Sequence, residues 1–466
     1  MNPKSSKLIK DREIKYTVLI ASITSSFLTA FLGSAVNIAL PLLSRELSID
    51  TVLLTWINTS YLLSTTIFLV PFGRISDIYG RKKIFLYGVS IFTLSSLLCG
   101  IANNYTLLII LRVLQGIGAG MLFATSTAIL TSVFPIGERG RALGLSVTSV
   151  YIGLSLGPFL GGVLTKNFGW RSVFLFGAII GTFTIVLILA VLKEEWIEAK
   201  GESFDILGAI IYGIAIASFM YGFTKLPSRI GFYLVLIGIL GFIGLVYNSS
   251  REKEPILDVK LFLNNRVFSL SNISALINYS ATSAVSLLLS LYLQQVKGLN
   301  PQSAGTTLIF QPLTQAMFSP LAGRLSDRIQ PGYIASIGMS FTTLGLFLLR
   351  YIDNHTPISF IIFCSIILGF GFGLFSSPNT NAIMSSVDRR LYGIASSMVS
   401  TMRMLGQTFS MGISTIVFTL VIGRTQIQPE NYSLLITSIK LIFTIFTILC
   451  LVGVFSSLGR GKLIRD

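Results

Sequence analysis

Ionisable side chains are scarce in this chain, so those standing inside apolar stretches are the first places to look for chemistry. Arg112, Arg403 and Lys440 stand there, and no Asp or Glu does. A cation at membrane depth is costly and usually marks a functional pathway. Arg112, with Gln115 and Gly116 one turn on, is read either that way or as a guanidinium snorkelling to the outer surface. Arg403 lies deeper, where snorkelling is harder, and is expected to face a cavity; Lys440 is expected to snorkel. Asp77 stands four residues before Arg81 in a short polar stretch. Its carboxylate suits either the arginine or the N-terminus of a neighbouring helix. Asn37, Asn58, Tyr61, Gln115, Asn278, Tyr292, Gln294, Gln311, Asn379, Asn381 and Gln407 are polar or amphipathic residues within apolar runs. Each either lines a substrate cavity or satisfies a neighbouring helix. Catalysis finds no foothold. There is one histidine, His355, and Cys99, Cys364 and Cys450 are widely spaced in apolar runs, which suits packing. No metal site, cofactor or catalytic residue is expected, and without a G-x-x-x-x-G-K-[ST] sequence there is no P-loop. Any transport is therefore secondary, and the chain is not expected to be an enzyme.

The elements that must position these residues follow from composition. Of 466 residues only 12 % are charged and 52 % are hydrophobic, with a mean hydropathy of +0.77; soluble chains carry about 25 % charge. A membrane helix needs about 20 mostly apolar residues. Fourteen runs qualify: 16–42, 51–71, 84–102, 105–130, 140–165, 171–192, 205–223, 229–248, 267–293, 302–323, 332–350, 356–378, 391–422 and 434–457. The first is too long for a signal-peptide core and lacks a cleavage pattern. With the N-terminus in the cytoplasm, inside segments hold 24 Lys and Arg and outside loops hold 8, the bias expected of cytoplasmic loops. Both termini are then cytoplasmic. The net charge of +16 records this orientation rather than a nucleic-acid surface. The partners expected are the bilayer and a small-molecule substrate, with no nucleic acid.

An internal repeat divides the chain. Gly-Arg-x-Ser-Asp occurs at 73–77 and 323–327, offset by 250 residues. Gly116-Ile-Gly-Ala-Gly120 is echoed by Gly369-Phe-Gly-Phe-Gly373, offset by 253. These offsets predict a duplicated six-helix unit with a site at the interface of the halves, as in alternating-access transporters. The division expected is an N-terminal bundle over 1–192, a linker with two extra helices over 193–266, and a C-terminal bundle over 267–466.

The motifs resemble those of the major facilitator superfamily, over the whole chain. Gly73-Arg-Ile-Ser-Asp-Ile-Tyr-Gly-Arg-Lys-Lys83 is similar to its Gly-x-Leu-Ala-Asp-Arg-x-Gly-Arg-Arg/Lys loop. Leu111-Arg-Val-Leu-Gln-Gly-Ile-Gly-Ala-Gly120 is similar to its Arg-x-x-Gln-Gly motif, and Gly153-Leu-Ser-Leu-Gly-Pro-Phe-Leu-Gly-Gly162 to the antiporter motif Gly-x-x-x-Gly-Pro-x-x-Gly-Gly. Trp56 with Tyr61, Phe204-Asp-Ile-Leu-Gly208 and Gly393-Ile-Ala-Ser-Ser397 before Arg403 resemble the fourteen-span drug:proton antiporters. The resemblance implies an all-α polytopic fold of two six-helix bundles plus two inserted helices, expected as a monomer in the plasma membrane. It implies a latch between the halves at Gly73, Asp77, Gly80 and Arg81, with Asp327 in the echo. It implies proton or substrate handling at Arg112, Gln115 and Arg403. Gly153, Gly157 and Gly161, at i+4 spacing, form a flat stripe for close helix contact; Pro158 removes a hydrogen bond, and Gly162 ends the motif.

One position departs from the pattern. Many fourteen-span antiporters carry an Asp five residues before the Asn of Asn-x-Ala-Leu-Pro; here Leu32 stands there. Coupling then falls to Asp77 or Asp327, or the substrate supplies its own charge, or transport is uncoupled. The excess of intramembrane Arg over acid favours anionic or neutral substrates over dications. The expected function is export of amphipathic small molecules, as in multidrug efflux, by proton antiport. The alternative is an importer or facilitator of a polar or anionic metabolite without antiport, disfavoured by Leu192-Lys-Glu-Glu-Trp196 standing where sugar porters carry Pro-Glu-Ser-Pro-Arg.

Overall fold

A computed structural model describes residues 3–47, 51–226, 228–256, 259–299, 301–423 and 432–461. Arg424, Lys462 and Arg465, counted above by loop, lie outside the described residues, as do the side chains of Lys4, Lys7, Lys10, Arg12 and Arg45. The described residues are helical almost throughout. The first six helices are α1 (Pro3–Leu47), α2 (Thr51–Tyr79), α3 (Arg81–Cys99), α4 (Tyr105–Val133), α5 (Ile136–Phe168) and α6 (Arg171–Val191). Then come α7 (Ile206–Thr224), α8 (Arg229–Arg251), the short α9 (Val259–Asn264), α10 (Arg266–Thr282), α11 (Val285–Leu291), α12 (Pro301–Leu308) and α13 (Phe310–Ser326). The last are α14 (Pro331–Leu349), α15 (Ile358–Ser385), α16 (Tyr392–Val421) and α17 (Tyr432–Leu458).

In a bilayer every backbone N–H and C=O must be satisfied within the chain, which is why apolar runs of this length become helices. All fourteen expected runs fall on helix, and twelve stretches among the described residues are long and apolar enough to span a membrane. The other two are more broken or more polar than their runs suggest. The run at 51–71 continues as helix through the polar stretch to Tyr79, and the run at 302–323 is interrupted at Ile309, leaving α13 with 17 residues. The run at 267–293 is interrupted too. At its first break the Ala284 N–H donates to Ser410 Oγ at 2.9 Å. Beyond α11 the chain makes a π-helical turn over Tyr292–Val296 and ends at Gly298 with φ +66°.

The chain forms two compact units. One comprises Met1–Gly213, Leu245–Asp258 and Val387–Thr401; the other comprises Ile214–Gly244, Val259–Ser386 and Met402–Asp466. In the first unit α1 packs on α5, α6 and α4, α2 on α4, and α3 on α4 and α6. In the second, α10 packs on α17 and α15, α13 on α15, and α14 on α15 and α17. The repeat read in the sequence recurs at the level of single glycines. A Cβ on Gly116 would meet Tyr61 O and Ser64 Cβ; on Gly369 it would meet Gln311 O and Thr314 Cβ. Gly118 faces Gly88 and Phe92, as Gly371 faces Gly338 and Thr342. Gly153 lies against Phe27 O and Ala30 Cβ, as Gly406 lies against Leu276 O and Tyr279 Cβ. The glycines of each pair are offset by 253 residues and their partners by 249 or 250, so each unit builds its close helix crossings at nearly the same register.

Candidate functional site

Two polar assemblies stand out, both in the first unit. The first surrounds Asp77, which is fully buried at the end of α2. Arg81, also fully buried, opens α3 and donates Nε (2.9 Å) and Nη2 (2.6 Å) to Asp77 Oδ1. The carboxylate then accepts the backbone N–H of Gly393 on both oxygens, at 3.0 and 2.9 Å, and that of Ile394 at 3.3 Å. These are the orphan donors of the first turn of α16, where a helix presents partial positive charge. Gly80 makes the sharp link between α2 and α3 at φ +115°, a conformation open to glycine at little cost. Gly73 and Gly393 bring the two backbones together: a Cβ on Gly393 would stand 2.2 Å from Gly73 O, and one on Gly73 2.6 Å from Gly393 O.

Sequence reasoning missed three side chains of this assembly. Tyr392, nearly buried, has its ring centroid 5.2 Å from the Arg81 guanidinium carbon and 5.4 Å from that of Arg139, and its hydroxyl accepts from Arg139 Nη2 at 3.1 Å. Arg139 was counted only as a loop charge. Glu195, beyond α6, accepts the N–H groups of Lys82 and Lys83 at 2.8 and 3.1 Å and so caps α3. The segment around it also accepts the Arg81 N–H at Trp196 O, and Glu202 pairs with buried Arg74. The position of Tyr392 next to Gly393 and the acid in Leu192-Lys-Glu-Glu-Trp196 were the available signals, but their partners lie more than 100 residues away.

The second assembly gathers five residues singled out in the sequence. Arg112 is 1 % exposed and does not snorkel. It donates Nε to Ile57 O at 2.9 Å, Nη1 to Gln115 Oε1 at 2.5 Å and Nη2 to Asn58 Oδ1 at 3.2 Å. Tyr61 covers it, ring centroid 4.4 Å from the guanidinium carbon. Gln115 passes its N–H to Ser96 Oγ at 2.6 Å, and Asn58 passes its own to Asn37 Oδ1 at 2.5 Å. No carboxylate pairs with Arg112 among the described residues. Leu32 is buried against Gly177 of α6. The repeat does not copy this chemistry: the positions corresponding to Arg112 and Gln115 hold Ser365 and Leu368.

The remaining residues fall elsewhere. Gly153, Gly157 and Gly161 are buried against α1, at Phe27, Ser34 and Ala35; Gly162 is half-buried, and Pro158 is exposed within an unbroken α5. Asn379 is buried, accepting from Arg460 and donating to Ser271 O. Asn381 donates to Ser326 Oγ. These two satisfy neighbouring helices. Tyr292 donates to Asp353 O and Gln294 to Ser290 Oγ. Asn278 is fully buried, and neither amide atom has a hydrogen-bond partner among the described residues. Gln311, Asp327, Arg403 and Gln407 are half-buried.

Comparisons with known proteins agree with the helical fold. The family model described as Major Facilitator Superfamily matches residues 23–411 and 271–460. The chain belongs to the major facilitator superfamily and is a transporter. It is 32 % identical to "Riboflavin transporter RibZ" of Clostridioides difficile (strain 630), over 85 % of this chain and 86 % of that one. It is 29 % identical to "Multidrug resistance protein Stp" of Mycobacterium tuberculosis (strain CDC 1551 / Oshkosh), over 85 % of this chain and 74 % of that one. The fold resembles that of the human organic anion transporter MFSD10 (TETRAN), with a TM-score of 0.69 and 13 % identity, over 96 % and 99 % of the two chains.

Proposed function

We propose that this transporter exports amphipathic small molecules by alternating access in exchange for protons. It does so across fourteen spans of the cell membrane with both termini in the cytoplasm. The observation that carries the reading is the Asp77 carboxylate closed on the first N–H groups of α16. Neighbouring hydroxyls add to the hold, Ser396 Oγ donating to Phe123 O at 2.9 Å and Ser397 Oγ to Leu69 O at 2.8 Å, so the carboxylate is the charged acceptor among several contacts that are made and broken together. Asp77 and Arg81 hold α16 in one state of the cycle and release it in the other, and Asp327 serves the echo of the loop. Arg112 and Gln115, with Arg403, organise the substrate path, and the stripe at 153–161 lets α5 slide on α1. The loop charge bias supports the orientation and the span number. The likeness to a multidrug resistance protein supports export of amphipathic compounds. In everted vesicles bearing an imposed pH gradient, addition of a neutral or anionic amphipathic dye is expected to give uptake that collapses with the gradient. Uptake of no compound and no discharge of the gradient would rule the reading out.

A second reading, transport of a polar or anionic metabolite without proton antiport, is favoured by two observations. Leu32 stands where a coupling acid is usual, and the 32 % identical relative is named for riboflavin. Riboflavin flux indifferent to the pH gradient would select it.

A further inference from the structure

Hydrogen bonds in the Arg112 assembly run in one direction only. A guanidinium has five donors and no acceptor, so every amide touching it must turn its oxygen inward. Asn58 therefore presents Oδ1 to Arg112 and its N–H to Asn37, whose oxygen must in turn receive it. Gln115 likewise presents Oε1 to the arginine and its N–H to Ser96. Two chains of donors thus lead away from one buried charge. The Gln115 branch is closed: Ser96 Oγ donates to Phe92 O within α3. The Asn58 branch ends at Asn37, which is exposed and has one long bond, 3.3 Å, from its amide to Gly33 O. The second Asn37 N–H has no acceptor among the described residues. Beside it on α1, Gly33 is followed by open space where a Cβ would stand.

We propose that Asn37 is a substrate contact that presents a donor polarised by Arg112, and that it selects planar compounds carrying carbonyl, imide or carboxylate oxygens over organic cations. A buried cation relayed through two amides makes the exposed end more positive, and chained hydrogen bonds strengthen one another. An acceptor oxygen completes the chain, whereas a cation meets a donor and a positive field. The selectivity resides in the direction of the chain and not in its apolar surroundings, since reversing it would need an acceptor on the guanidinium. The proposal rests on the reading of this protein as a transporter of small molecules and names the substrate class.

The test measures binding of three fluorescent planar probes to the purified full chain: riboflavin (neutral imide), carboxyfluorescein (anion) and ethidium (cation). In the wild type at least one of riboflavin and carboxyfluorescein is expected to bind about tenfold or more tighter than ethidium. In Asn37→Asp, which replaces the open donor with a carboxylate, the ratio is expected to move towards ethidium by a similar factor. Asn58→Leu, which cuts the relay but leaves Asn37, is expected to reduce the preference in the folded protein and to lower its melting temperature, because Arg112 Nη2 loses its acceptor. Ethidium binding as tightly as both oxygen-bearing probes in the wild type, or a ratio unmoved by Asn37→Asp, would overturn the proposal. So would failure of all three to bind. Transport fails separately: selective binding without flux refutes the transport reading, and gradient-driven ethidium export with no acceptor preference refutes only this inference.

Discussion

At the scale of single residues, the energetics are set by buried charge. Removing one partner of a buried ion pair leaves the other uncompensated, at about 3–5 kcal/mol. Asp77→Asn is therefore expected to lower the melting temperature while the protein still inserts, and to slow vesicle transport about tenfold or more with a smaller change in the substrate concentration at half-rate. Wild-type turnover in this variant would remove Asp77 from the mechanism. Gly393→Ala is expected to do similar damage, because a Cβ there would stand 2.2 Å from Gly73 O and 2.8 Å from Asp77 Oδ2. Gly305→Ala, with open space around it, is the control and is expected to transport normally. The Asp77–Arg81 pair was legible in the sequence because both ends lie four residues apart. The Asn37, Asn58, Tyr61, Arg112 and Gln115 assembly was legible only as types: each residue was marked as polar in an apolar run, but α1, α2 and α4 meet only in three dimensions. Asn379 and Asn381 carry the same sequence signal and serve packing instead.

At the scale of elements, the stretch from 193 to 205 acts as a brace on the start of α3. Glu195→Gln weakens a cap worth about 1 kcal/mol, so a fall of a few degrees in melting temperature is expected, read by a thermal-shift assay. A capping role would be excluded if the melting temperature stayed unchanged. The Tyr392 ring is a separate device. Tyr392→Phe keeps the ring between Arg81 and Arg139 and loses only the hydroxyl contact, whereas Tyr392→Leu loses both. Transport is expected to follow the order Tyr, Phe, Leu, with Phe closer to Tyr; equal loss in both variants would contradict a role for the ring. On the other side of α1 in sequence, Glu46 accepts from Trp170 Nε1 at 2.7 Å and pairs with Arg171, whose hydrogen bond holds its carboxyl below the usual carboxylate range. A depressed pKa stabilises the fold above the ordinary carboxylate pKa, and that contribution disappears as pH falls through the folded value. The melting-temperature difference between wild type and Glu46→Gln is thus expected at neutral pH and expected to vanish in strongly acidic buffer. Helices were legible from apolar length alone. Their interruptions at Ser283–Ala284 and Ile309 were not, because a break patched by a distant hydroxyl such as Ser410 carries no local mark.

At the scale of the whole molecule, the repeat was the most informative feature of the sequence. Its offsets of 250 and 253 reappear as matched glycine contacts within each unit, so one helix-crossing scheme has been used twice. What was not duplicated is the chemistry: Ser365 and Leu368 stand where Arg112 and Gln115 stand in the first half, and Pro331 where Arg81 stands. The scaffold is symmetric and the polar site one-sided, and a local motif search sees only the first of these. The charge bias of the loops predicts an orientation that single-cysteine labelling can read directly. A cysteine at Lys200 is expected to react only from the cytoplasmic side and one at Lys166 only from outside; the reverse pattern would invert the topology.

The measurement that bears most directly on the mechanism compares wild type and Asp77→Asn in everted vesicles, with dye uptake and discharge of an imposed pH gradient followed together. The Asp77 latch predicts coupled uptake and discharge in the wild type, and about a tenfold or greater slowing of both in the variant at equal protein level. Full rates in the variant, or dye uptake without any discharge in the wild type, would contradict it.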